Sequence, residues 1–186
     1  MPREPFQLGE AVIPPGQQSV VDLPVGKLAN HTPMTLPVRV VHGRRDGPTL
    51  FVSAVIHGDE IIGVEIIRRV MRSSAIRRIA GTLLCIPIVN VFGFIEHSRY
   101  LPDRRDLNRS FPGVARGSLA AQLAHLFMNE IVARADLGID LHAASVNRMN
   151  LPQIRVDFAR ERSVELAKAF GAPVVVKVPE QEESVA

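Results

Sequence analysis

Only one cysteine, Cys85, occurs in the 186 residues, so no internal disulfide can form. It sits in an apolar, strand-like run, which predicts a buried and inert thiol. Such cysteine usage fits a reduced, cytoplasmic setting. No apolar run approaches the roughly 20 residues of a membrane-spanning helix, so no membrane partner is expected. The first residues, Met1-Pro2-Arg3-Glu4-Pro5, lack the apolar core of a signal peptide. No internal repeat is evident. The net charge is only +3. Arg68, Arg69, Arg72, Arg77 and Arg78 cluster around the end of one segment, but no nucleic-acid motif accompanies them. They read as a solvated helix face and turn, and nucleic acid is not expected as a partner. Low hydrophobicity is also missing. An apolar content of 46% and a mean hydropathy of +0.12 exclude a disordered chain. The length suffices for one domain with a substantial core.

What is present is organised around Val55-Ile56-His57-Gly58-Asp59-Glu60. The apolar run from Thr49 to Ile56 ends in a His and a Glu three residues apart, and an amphipathic segment follows at once. A strand, a short turn and a helix place both side chains at a strand's C-terminal edge, where ligands bind in open α/β sheets. Residues 1 to about 30 are rich in Pro and Gly and predict an extended arm with short strands. Met34 to His42 predicts a strand. Gly43 to Pro48 is a turn cluster, and Leu50 to Ile56 is a second strand expected to form a hairpin with the first. Ile61 to Met71 predicts a helix mostly buried against a sheet, with Asp59 as its N-cap.

Gly81 to Val89 is a third strand, and Pro87 is expected to end or bulge it. Asn90 to Gly113 lacks periodicity and is long for a loop, which favours function. Ser118 to Arg134 predicts a helix, with Leu119, Leu123, Leu126, Phe127 and Ile131 on one side. Ala135 to His142 predicts a strand, Ala143 to Pro152 a loop, and Glu161 to Phe170 a helix closed by Gly171. Pro173 to Val178 is a last strand. The alternation argues an α/β domain with a mixed, mostly parallel central sheet flanked by helices.

His57 offers a neutral nitrogen and Glu60 an oxygen, both good zinc donors, and a catalytic zinc site wants three protein ligands and one open position. His142, at the end of another predicted strand, is the third candidate. Asp140 lies two residues before it and faces the same side of a regular strand. His31, His42, His97 and His125 read as structural. In the long loop, Asn108 and Arg109 suit a carboxylate, because a guanidinium fork binds it bidentately and an amide adds a hydrogen bond. A surface loop rich in Arg–Asp pairs is the other reading of this stretch.

Three segments taken together carry a resemblance. His57-Gly58-Asp59-Glu60, Asp106-Leu107-Asn108-Arg109-Ser110-Phe111-Pro112-Gly113 and Asp140-Leu141-His142 resemble the signatures of the succinylglutamate desuccinylase/aspartoacylase family, from about Met34 to the last strand. That family belongs with the zinc carboxypeptidase-like hydrolases, and the resemblance implies that fold. It also implies that His57, Glu60 and His142 bind one zinc ion per chain. Asp106 would orient His57, Asn108 and Arg109 would hold the substrate's carboxylate, and Arg99 would polarise the scissile carbonyl.

The implied reaction is hydrolysis of the amide bond of an N-acyl amino acid. The implied partner is that small molecule, and homo-oligomerisation stays open. The sequence departs from the family in two respects. The family's catalytic glutamate has no counterpart, since Glu180, Glu182 and Glu183 are not in a matching motif. Nothing corresponds to the family's small C-terminal β-rich domain either. The expectation is a zinc-hydrolase catalytic domain over residues 1–186, incomplete at its C-terminus. A carboxypeptidase acting on peptides and a non-catalytic metal-binding module remain as alternatives.

Overall fold

The computed structural model describes residues 3–27, 31–144 and 148–178. The Pro- and Gly-rich beginning is built into the fold. Strands β1 (Phe6–Leu8) and β2 (Ala11–Ile13) pair antiparallel, and β3 (Gln18–Lys27) is ten residues long where only short strands were expected. β3 pairs antiparallel with β4 (Pro33–His42), with an irregularity between Pro24 and Gly26.

β5 (Arg45–Ala54) does not form the expected hairpin with β4. Strand β6 (Ala80–Ile86) lies between them, antiparallel to β4 and parallel to β5. The reason is visible in burial and at the corner. All of β6 but its first residue is buried, so it belongs inside the sheet. At the corner Gly43 N–H donates to Gly81 O over 2.9 Å, and a Cβ on Gly43 would lie 2.4 Å from Ile79 O. Glycine there lets the incoming chain wedge between the two strands. β7 (Leu137–Leu141) then pairs parallel with β5, giving the order β3-β4-β6-β5-β7. The sheet is therefore evenly mixed, antiparallel at β3/β4 and β4/β6, rather than mostly parallel.

Helix α1 (Ile62–Arg72) crosses from β5 to β6. Its N-cap is Ile61 with no side-chain cap bond, so Asp59 does not cap it. The helix was expected to be mostly buried, yet only Gly63 and Ile67 are. A Cβ on Gly63 would come within 2.6 Å of the Ala54 Cβ, so the helix lies against the sheet along one narrow line. Ile62, Ile66 and Val70 remain exposed on its flank. Arg68 and Arg69 pair with Glu65 on its solvated face. β6 stops at Ile86, one residue before Pro87, which has no ladder donor to give.

The long loop contains α2 (Val91–Glu96), with Asn90 as a side-chain cap to Gly93 N–H, and one helical turn at Leu107–Arg109. α3 (Leu119–Glu130) begins at its Ser118 cap and covers the opposite sheet face from α1. There Phe127, fully buried, meets Phe51 and Phe111 edge-on at 5.7 and 5.9 Å. β8 (Gln153–Val156), α4 (Glu161–Phe170) and β9 (Val174–Lys177) form a parallel βαβ unit with its own two-stranded sheet. β8 escaped the sequence reading because only its last residue, Val156, is buried. Gly171 ends α4 at φ 76°, as expected of a C-cap. Cys85 is fully buried in β6, and burial pushes its thiol up to about 12. Among the described residues no helix is long and apolar enough to cross a membrane.

Candidate metal centre

β5 ends at Ala54, and the chain then bends sharply. Val55, fully buried, adopts φ 60°, a conformation in which a β-branched side chain is strained. Neighbouring backbone holds the bend. Val89 N–H donates to Ala54 O over 3.0 Å and Asn90 N–H to Val55 O over 2.9 Å, while the Asn90 side chain reaches Ile56 O at 3.4 Å. Gly58 is pressed on Gly93 so closely that a Cβ would sit 1.9 Å from its carbonyl carbon. The bend thus carries His57 and Glu60 over the end of β5 and locks them against α2. Both are buried, and Glu60 N–H closes the turn on His57 O at 3.1 Å.

Three side chains converge there. His57 Nδ1 lies 2.8 Å from Glu60 Oε1, and His142 Nδ1 lies 2.9 Å from Glu60 Oε2. One donor atom from each of the three falls within 4.8 Å of the others. The outer nitrogens face carboxylates. His57 Nε2 is 3.2 Å from Asp106 Oδ1, and His142 Nε2 is 2.7 Å from Asp140 Oδ2. Each imidazole therefore turns one nitrogen inward and the other toward an acid, the layout of carboxylate–histidine–metal arrangements. The donor set and its backing fit a divalent cation of the zinc type.

Charge follows geometry. Burial alone would raise the Glu60 carboxyl, but hydrogen bonds from His142, His57 and Ala143 N–H outweigh it and hold the group well below the usual carboxylate range. Burial opposes charge on His142, yet Asp140 and Glu60 override it and push the imidazole up to about 10. Burial likewise raises Asp106, but His57, Arg99 and the Asn108 N–H bring it below its ordinary value.

Of the residues singled out from sequence, Arg99 lies at the rim. Its guanidinium donates twice to Asp106 Oδ2, at 2.9 and 3.0 Å, and NH1 lies 3.6 Å from Glu60 Oε1. Asn108 and Arg109 sit on the helical turn anchored by buried Leu107, and the turn is tied to Asp106 through Asn108 N–H and the Ser110 hydroxyl. Arg109 is exposed. The structure thus brings together His57, Glu60, His142, Asp106 and Arg99, with Asn108 and Arg109 on the adjoining turn. His42 is elsewhere, buried between Thr82 Oγ1 and Glu4 O, and burial lowers it. His125 is on α3 and His97 caps α2. The sequence reading assigned no role to Asp140, although its two-residue spacing from His142 was the signal. It did not single out Ser53, whose hydroxyl donates to Asp140 Oδ1 over 2.7 Å.

A family model for the succinylglutamate desuccinylase/aspartoacylase catalytic domain matches residues 46–186. The chain belongs to this family. It is 32% identical over 147 residues to the N-alpha-acetyl-L-2,4-diaminobutyric acid deacetylase of Halomonas elongata, an alignment covering 76% of this chain and 43% of that protein. Its fold matches the crystal structure of a succinylglutamate desuccinylase/aspartoacylase from Rhodobacter sphaeroides with a TM-score of 0.78 and 30% identity, over 86% of this chain and 52% of the other. It also matches an aspartoacylase family protein from Mesorhizobium loti with a TM-score of 0.80 and 28% identity, over 97% of this chain and 58% of the other. The chain thus spans about half the length of the family relatives it matches.

Proposed function

We propose that this chain provides the metal-binding part of a zinc-dependent hydrolase that cleaves the amide bond of an N-acyl amino acid. The observation that carries the reading is the convergence of His57, Glu60 and His142, each imidazole backed by its own carboxylate, in a chain of this family. The deacetylase name of the Halomonas relative supports an N-acyl substrate. His57, Glu60 and His142 would hold one zinc ion per chain. When bound, zinc supplies Lewis acidity toward water and a carbonyl oxygen.

The chain's own groups would position the metal ligands and the substrate. Asp106, 3.2 Å from His57 Nε2, would favour the tautomer whose Nδ1 lone pair is available to the metal. Arg99, fixed by Asp106 and facing Glu60, is placed to stabilise negative charge developing on the carbonyl oxygen. Asn108 and Arg109, on the adjoining turn, are placed to take the substrate's carboxylate. No general base is assigned, and Glu180, Glu182 and Glu183 lie outside the described residues. Buried, unpaired Cys85 supports a cytoplasmic setting.

The test compares hydrolysis of N-acetyl amino acids and short peptides by the purified protein, with zinc present and after chelation. Zinc-dependent release of acetate is expected. Cleavage of peptides alone would favour a carboxypeptidase, and metal binding without turnover a non-catalytic module.

Metal binding should also depend on pH, with a definite sign. A cation taking His142 Nδ1 must displace the proton that Asp140 and Glu60 help to hold up to about pH 10. Apparent zinc affinity is therefore expected to rise with pH, by about tenfold per unit for each proton released. Competition titrations between about pH 6 and 8 check this; flat affinity would contradict a protonated His142.

A further inference from the structure

We propose that Ser53 and Asp140 form a register lock that positions His142 for metal binding, a role that rests on the ligand assignment above. Among the described strands β7 pairs only with β5, at the edge of the sheet. Where His142 falls therefore depends on the register of that single pairing. A slip of one residue would turn the β7 side chains to the other face. A slip of two would carry His142 about 7 Å along the sheet, out of reach of Glu60.

Ser53 and Asp140 are direct partners in this register. Ser53 is fully buried, where a hydroxyl is costly unless bonded. Its partner is Asp140 Oδ1, at 2.7 Å. The other oxygen of the same carboxylate, Oδ2, lies 2.7 Å from His142 Nε2. One oxygen of Asp140 is thus bonded across the strand pairing, and the other lies against the His142 imidazole. Ser53 also lies near the end of β5, just before the bend that delivers His57 four residues later. Ligands distant in sequence are so referred to one strand. Ser53 and Asp140 are positioning residues, acting through His142.

The experiment measures zinc affinity by chelator competition, and the cobalt(II) absorption spectrum, for the unaltered chain, Ser53→Ala, Asp140→Asn and the double variant. Asp140→Asn is expected to weaken binding about 10- to 100-fold. Ser53→Ala should weaken it about 3- to 10-fold, the loss of one hydrogen bond. The double variant should lose no more than Asp140→Asn alone, since Ser53 acts through Asp140. The cobalt spectrum should shift in both single variants. Ser53→Cys, close to serine in size and a weak donor, gives the same reading if Ser53→Ala does not fold. Unchanged affinity in Ser53→Ala or Ser53→Cys, or additive losses in the double variant, would overturn the lock while leaving the ligand assignment intact. Failure of the unaltered chain to bind metal would instead defeat the assignment, and the lock with it.

Discussion

Replacing His57 with alanine is expected to take metal content from about one ion per chain to none, because a three-donor site does not survive losing a ligand at ordinary zinc concentrations. His57 Nδ1 is one of the three converging donors, and Glu60 Oε1 beside it would lose its nearest partner. The change reaches further than one donor. Asp106 would be left with Arg99 and the Asn108 N–H, so the rim would be tied to the buried floor only through the longer Arg99–Glu60 approach. Metal analysis of protein purified without chelator decides the matter, with His142→Ala as a second ligand variant and Arg109→Ala as a control expected to keep its metal. Full zinc occupancy in His57→Ala would remove His57 from the ligand set.

Gly58→Ala should be the most damaging single added methyl around the candidate metal centre. The added Cβ would lie 1.9, 2.3 and 2.4 Å from the Gly93 carbonyl carbon, oxygen and α-carbon. These are backbone atoms, so no rotamer change relieves the overlap, and the two segments must separate. Overpacking of well-fitted sites costs about 1–3 kcal/mol or more, and a backbone obstacle argues for about 3. For a chain of this size that lowers Tm by about 6–12 °C. Because His57 and Glu60 flank Gly58, zinc affinity should fall together with stability. A variant that melts with the parent protein would show that the turn and α2 do not press together in this way.

Much of the site was legible before the fold because its chemistry is written in local patterns. His57 and Glu60 are three residues apart at the end of an apolar strand, and Asp106, Asn108 and Arg109 lie within four residues of one another. The strand-to-turn signal placed the first pair at a strand edge, and the structure has them there. Pro87 marked the end of β6 for the simple reason that proline offers no N–H. The Asp59 cap was misjudged because a cap depends on backbone angles at the turn. Here those are imposed by the Val55 bend and the Gly58–Gly93 contact. The buried face of α1 was overestimated because a sequence shows which residues are apolar but not how narrow the line of contact is.

What the sequence determined by itself was the set of donor types, their local spacing and the α/β alternation, all of which follow from side-chain chemistry and periodicity over a few residues. Tertiary structure alone decided the strand order. β6 entered between β4 and β5 because its nearly continuous buried surface needs neighbours on both edges and because Gly43 leaves room for the crossing. That order put β7 beside β5, brought His142 to Glu60 across 82 residues of chain, and set Ser53 opposite Asp140. Such pairings depend on long-range packing, for which no local pattern exists.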